Sequence, residues 1–282
     1  MEPRVLSWLM RPETCQKGAS LMDAVPSSLA LDGVPSRHRP DCAAASQTLQ
    51  PLDALSAQSR NLAKWHSVVV DDRIVPSYVL IGPRTGRVPI RLALLGGTRA
   101  SDFLSTISIV KLLVELDLAP LIAQDFALFS YPLANPSRIS QPEPEFDTNF
   151  WKGSSDPMVH FFEQEFTSDK LDGMIAVRAN EPLAGFQIQV SSRVIATEVL
   201  WRALELPQKL LPLANEPVQV VPHTEMAKHS FANLSHLCPK PFSLIIRTPR
   251  NAQPENQISA IGFSIKQILL HYRSLVRQAE RM

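Results

Sequence analysis

The stretch Leu92-Ala-Leu-Leu-Gly-Gly-Thr-Arg-Ala-Ser-Asp102 is an apolar run broken by two glycines, followed by a polar turn that opens onto a segment of helical spacing. A buried strand of this kind delivers its last residues to the carboxyl edge of a sheet, where open α/β folds place their ligand crevices. Gly96 and Gly97 let the backbone turn sharply at that point. Beyond the turn, Phe103, Leu104, Ile107, Val110, Leu113 and Leu116 recur at helical intervals, so residues 102–118 are expected to pack against the sheet. Ser101 or Asp102 suits the helix cap, accepting backbone N–H bonds.

Working back from this stretch, Ser67–Val70, Tyr78–Ile81 and Val88–Leu95 read as strands. Gly82-Pro-Arg-Thr-Gly86 between the last two reads as a hairpin turn, and Leu52 to Trp65 as a short amphipathic helix. Residues 1–50 are rich in Pro, Ser, Ala and Asp and form an expected irregular arm, with Leu6, Trp8, Leu9 and Met10 as its docking point. Residues 51–282 are expected to make one α/β domain.

Working forward, Phe126–Tyr131 is a buried-strand pattern that runs into Asn135-Pro136. Asp156-Pro157 starts a helix that ends near Phe166. Further strands are read at Gly173–Arg178, in Gly185-Phe-Gln-Ile-Gln, at Val218–Val221 and over Pro241–Pro249. A helix ends over Glu198–Leu206, and a long helix over Gln257–Arg277 closes the chain, with Ile258, Ile261, Ile265, Ile268, Leu269 and Leu275 inward.

Bulk properties exclude several function classes. With 28 basic and 27 acidic side chains the net charge is +1, which gives no general pull toward nucleic acid or an anionic membrane. Cys15, Cys42 and Cys238 are far apart and form no CxxC pair, so a disulfide framework is not expected and a reducing, cytoplasmic setting is. No apolar run approaches membrane-spanning length. There is no Gly-x-Ser-x-Gly elbow and no phosphate-cradling glycine loop. His223, His229, His236 and Cys238 share one loop, but their spacing matches no zinc pattern and reads as surface histidines.

Four motifs, each at the end of an expected strand, together resemble the zinc carboxypeptidase family, including its succinylglutamate desuccinylase and aspartoacylase-like branches. The resemblance spans roughly residues 52–279. In that family a strand ending in Gly-Gly is followed by a His-x-x-Glu zinc-ligand pair; here the two positions are Arg99 and Asp102. An Asn-Pro motif follows, then an Arg, then Asp-Leu-Asn-Arg, whose Asn and Arg grip the substrate carboxylate. This chain has Asn135-Pro136, Arg138 and Asp147-Thr-Asn149-Phe150, which keeps the Asn and replaces the Arg. The family's third zinc ligand, a His in Asp-Leu-His, falls on Arg178, and its general-base Glu in Glu-Thr-Pro falls on Arg247. The mobile Tyr that the family places over its substrate has no counterpart, since Tyr78, Tyr131 and Tyr272 all lie elsewhere.

The resemblance implies a three-layer α/β/α fold with a mixed, mostly parallel sheet, and a metallopeptidase site whose chemistry is erased. A guanidinium has no lone pair for a metal, and Asp102 alone does not hold zinc. Arg247 keeps its proton at working pH and cannot activate water. Two guanidiniums ~6 Å apart at an effective dielectric of ~20 repel by about 3 kcal/mol, so arginines converging on one pocket need an acid or a bound anion between them. The expectation is a metal-free pseudoenzyme whose ligand-binding residues are Arg99, Asp102, Arg178, Arg247, Asn149 and Arg138, binding an anionic small molecule or a peptide carboxylate. One alternative has each Arg paired with a local acid such as Asp102, Glu181 or Asp147, leaving a closed dead site on an interaction protein. Another is an active hydrolase of the same family.

Overall fold

Eight strands form a single sheet in the order β1-β2-β4-β3-β5-β8-β6-β7. They are β1 (Leu62–Val70), β2 (Arg73–Ile81), β3 (Ile90–Leu95), β4 (Phe126–Tyr131), β5 (Gly173–Glu181), β6 (Phe186–Val190), β7 (Leu213–Val220) and β8 (Phe242–Pro249). The computed structural model describes residues 41–70, 73–98, 102–134, 161, 162, 164, 171–221 and 242–281. The four central strands β4, β3, β5 and β8 run parallel, so their carboxyl ends meet at one edge. β1, β2 and β6 join antiparallel, and β7 pairs parallel to β6. The sheet is therefore mixed and mostly parallel.

Hydrophobic alternation divides the core into two layers. On one face, Leu92, Leu94, Leu128, Ile175, Val177, Leu244 and Ile246 pack under three helices: α1 (Asp41–Ser56), α2 (Phe103–Leu118) and α3 (Pro254–Ala279). A further helical segment on this face has α-helical turns at Arg193–Ile195 and Trp201–Ala203 around a π-helical stretch, Ala196–Leu200. On the other face, Ala93, Leu95, Phe129, Tyr131, Met174, Ala176 and Ile245 form a second cluster with Phe161 and Phe162, which are helical. The Tyr131 and Phe162 rings meet edge to face, with centroids 4.9 Å apart. Parallel strands covered on both faces read as unbroken apolar runs, which is why β4 (Phe-Ala-Leu-Phe-Ser-Tyr) is buried at every position.

The expected boundaries of α2, β4 and β8 agree closely with these elements, and α3 extends a turn beyond its expected start. Three readings need correction. Gly82–Gly86 is not a hairpin turn, because β4 lies between β2 and β3; the hairpin is β1–β2. The helix placed at Leu52–Trp65 ends at Ser56, and β1 begins at Leu62, earlier than the Ser67 expected. Leu49 and Leu52 of α1 both lie in the core. β7 likewise begins at Leu213, before the expected Val218. No helix among the described residues is long and apolar enough to cross a membrane.

The sequence features at Leu6–Met10, Asn135-Pro136, Asp147–Trp151, Asp156–Phe166 and the loop with His223, His229, His236 and Cys238 lie outside the described residues, apart from Phe161, Phe162 and Gln164.

Candidate ligand site at the carboxyl edge of the sheet

The β3–α2 turn is built by close packing. Gly97 has φ +56°, and a Cβ there would stand 2.6 Å from Thr106 Oγ1 and 2.9 Å from Leu133 Cδ1. Only glycine tolerates both the conformation and the space. The Gly97 N–H donates to Ser105 Oγ at 2.7 Å, and that hydroxyl donates to the Asp102 carbonyl at 2.7 Å. This bond fixes the first turn of α2 against the strand end.

Asp102 occupies the cap position of α2, but its carboxylate does not cap the helix. Oδ1 instead accepts the Ala179 N–H of β5 at 2.9 Å, 77 residues away in sequence. The capping role expected for this side chain is thus replaced by a cross-strand bond, while its backbone carbonyl accepts from Ser105 N at 3.2 Å. Asp102 is 1% exposed. Burying a carboxylate is costly unless it is hydrogen-bonded, so this link ties the start of α2 to the end of β5.

Arg178 and Arg247 are register partners on the adjacent parallel strands β5 and β8. Their positions alternate with Val177, Ala179 and Ile246 of the helix-covered face, which puts both arginines on the other face, with Met174, Ala176 and Ile245. Arg178 is buried and Arg247 half-buried. Arg247 donates through Nη2 to Glu181 Oε2 at 2.6 Å and through Nη1 to Gln187 Oε1 at 3.1 Å. The Arg247 Nε has no hydrogen-bond partner among the described residues, and neither have the buried hydroxyls of Thr98 and Thr106 beside the Gly-Gly turn.

A β-bulge brings Glu181 to this cluster. Between the pairs Arg178–Arg247 and Glu181–Pro249, three steps along β5 oppose two along β8. Regular alternation would send Glu181 to the helix-covered face; the extra residue returns it to the side of Arg247. The bulge is formed at Asn180, whose φ is +57°. Asn tolerates that left-handed conformation better than most residues.

Gln257, fully buried in the first turn of α3, fixes the bulge from the helix side. Its Oε1 accepts from Thr248 Oγ1 at 2.6 Å and from Asn180 N at 3.3 Å. Its Nε2 donates to Asn180 Oδ1 at 3.2 Å and to Ala252 O at 2.9 Å. Neither Gln257 nor Asn180 stood out in the sequence. The one local signal is the run Ala179-Asn-Glu-Pro182, where Asn precedes a Pro-containing turn at a strand end.

Of the six expected ligand-binding residues, Asp102, Arg178 and Arg247 come together at this edge. Arg99, Arg138 and Asn149 lie outside the described residues. Among the described residues no three His, Cys, Asp or Glu side chains group as a metal site. Of the three described residues at this edge, Arg178 and Arg247 are guanidiniums, which have no lone pair to give a metal, and Asp102 is a single carboxylate.

The strand order, the helical layer and the site at the parallel strands' carboxyl ends define a zinc carboxypeptidase-like α/β fold. The solved structures that it resembles carry that fold. A metallo-carboxypeptidase from Burkholderia cenocepacia superposes with a TM-score of 0.63 at 12% identity, covering 82% of this chain and 69% of that one. Bovine thrombin-activatable fibrinolysis inhibitor gives 0.57 at 8% identity, over 83% of this chain and 97% of that one. A provisionally assigned metallopeptidase of Shewanella denitrificans gives 0.59 at 14% identity, over 82% and 90%. No family model matches the sequence, and no curated protein does.

Proposed function

We propose that this chain is a non-catalytic member of the carboxypeptidase-like group which takes no zinc and uses its carboxyl-edge arginines to bind an anionic group, a carboxylate or phosphate, of a small molecule or peptide terminus. The observation that carries this reading is the pairing of Arg178 and Arg247 side by side at the edge where α/β folds bind ligands. Guanidiniums match carboxylate and phosphate oxygens in a two-pronged geometry. The hydroxyls of Thr98, in the neighbouring turn, and Thr106, on α2 beside it, have no partner among the described residues and are further polar groups near this edge.

The test has two arms. Metal content after purification with and without added zinc is expected to stay well below one ion per chain, with no hydrolysis of acyl-amino acids or C-terminal peptide bonds. Calorimetric titration with phosphate and with succinate is expected to give saturable binding that Arg178→Gln abolishes. Stoichiometric zinc with hydrolysis would overturn the reading. The Arg247–Glu181 bond favours a second reading, a closed site on a protein that acts through its outer surface; that reading expects no anion binding in either the parent or Arg178→Gln.

A further inference from the structure

We infer that Glu181 is a built-in competitor for the anion site: an internal carboxylate that occupies Arg247 where a ligand's acidic group would bind, and so sets the affinity of the pocket. This rests on the anion-binding reading above and adds the residue that regulates it. The first observation is geometric. Glu181 is 3% exposed and its Oε2 lies 2.6 Å from Arg247 Nη2, the distance and chemistry of a bound ligand carboxylate.

The second observation is how Glu181 reaches that place. It faces Arg247 only because of the bulge at Asn180, and Gln257 holds the bulge through its side-chain amide, the oxygen accepting from Asn180 N and the nitrogen donating to Asn180 Oδ1. The Glu181 backbone is fixed as well: its carbonyl accepts from Leu183 N at 2.7 Å and from Arg250 N at 2.8 Å. Arg250 Nε adds a bond to the Asn180 carbonyl at 3.3 Å. A strand end needs no such device merely to finish. Here Asn180 of β5, Leu183 and Arg250 just beyond the ends of β5 and β8, and Gln257 of α3 converge to hold the carboxylate of Glu181 at Arg247.

Removing the charge while keeping the shape separates competition from structure. In Glu181→Gln the amide still accepts from Arg247, but as a neutral partner that an incoming anion displaces more readily. Asn180→Gly keeps the left-handed backbone accessible and removes the Oδ1 anchor, which loosens the aim of Glu181 without changing its charge. Each variant is titrated calorimetrically with phosphate and succinate in low-salt buffer, as the full chain, with folding checked by circular dichroism. Glu181→Gln is expected to tighten anion binding about tenfold, the difference between displacing a charged and a neutral hydrogen-bond partner. Asn180→Gly is expected to tighten it by a smaller factor, about threefold.

Binding by the parent chain with unchanged or weaker affinity in folded Glu181→Gln overturns this inference and leaves the anion-binding reading standing. Binding in Glu181→Gln alone supports it. Failure of every form to bind either anion overturns both. Should Glu181→Gln fail to fold, the Asn180→Gly titration decides: tighter binding supports the competitor, unchanged binding overturns it.

Discussion

The two ends of the central strands both hold a buried acid against an arginine, and they treat it differently. At the amino end Asp125, 4% exposed, is the residue before β4 and has φ +66°. Its Oδ1 accepts from Thr85 N and Thr85 Oγ1, both at 2.8 Å, and its Oδ2 from Arg277 Nη2 at 2.5 Å. Arg273 of the same helix donates to the carbonyls of Leu121 and Gln124 at 3.1 Å each. At the carboxyl end, by contrast, two arginines stand side by side and the Arg247 Nε is buried without a partner among the described residues; buried hydroxyls without such partners occur near both ends, Thr98 and Thr106 at this one and Ser243 at the other. Buried polar atoms without partners are uncommon in folded proteins and each calls for an explanation. The contrast teaches that the amino-end acid is closed by an arginine and a threonine of the chain itself, whereas the carboxyl-end pair leaves the Arg247 Nε without a partner among the described residues.

Breaking the stable end is expected to have the largest effect. Asp125→Ala removes three hydrogen bonds and leaves Arg277 without its carboxylate, a loss of about 3 kcal/mol read from the urea midpoint. Anion titrations should not change. The same carboxyl sets a pH signature. Burial works against its charged form, but the hydrogen bonds from Arg277 and Thr85 outweigh this and hold its pKa below the ordinary carboxylate value. A depressed folded-state pKa contributes stability that is fully present above the unfolded pKa of about 3.9 and is lost as pH falls through the lower folded value. Asp125→Asn should therefore flatten the acid limb of the stability profile below about pH 4, measured by thermal melts across pH.

Gln257→Leu probes the other end. It strands the Asn180 N–H and Oδ1, the Thr248 hydroxyl and the Ala252 carbonyl, with an expected loss of about 2 kcal/mol in the same unfolding measurement. Unlike Asp125→Ala it should also change anion binding, and that difference sharpens the contrast. Gly97→Ala is expected to cost about 1.5 kcal/mol through the φ of +56° and the contact with Thr106 Oγ1. The smallest effect is expected from Arg87→Ala. Arg87 pairs with Glu280 at the surface, with side chains 40% and 48% exposed, so its loss should move the midpoint by under about 0.5 kcal/mol.

The elements were largely legible because their signals are local. The all-apolar run of β4 and the helical spacing after Asp102 each depend on residues within a few positions of one another. Pairing was less so. Gly82–Gly86 carries hairpin chemistry, yet β4 inserts between its flanking strands, and nothing in five turn residues reports a strand that begins 40 positions later. At the site, Asp102, Arg178 and Arg247 were legible through motif order, and Glu181 only as one of three acids, with Asp102 and Asp147, offered as partners for the arginines; its pairing with Arg247 was not. The carboxylate of Asp102 fits a cap by every local rule; its use by Ala179 depends on β3 and β5 being neighbours. Gln257 and Asn180 meet across 77 residues by polar contacts that leave no periodic trace.

Helix α3 carries Gln257 in its first turn and Arg277 in its last, about 30 Å apart at 1.5 Å per residue. A single stiff rod thus touches both ends of the sheet. Because α3 follows all eight strands in the chain, a growing polypeptide makes every strand before it can lock either end. Shortening the helix from its far terminus would be felt first at Asp125, and fraying that spread along the rod would in time release the grip on the bulge.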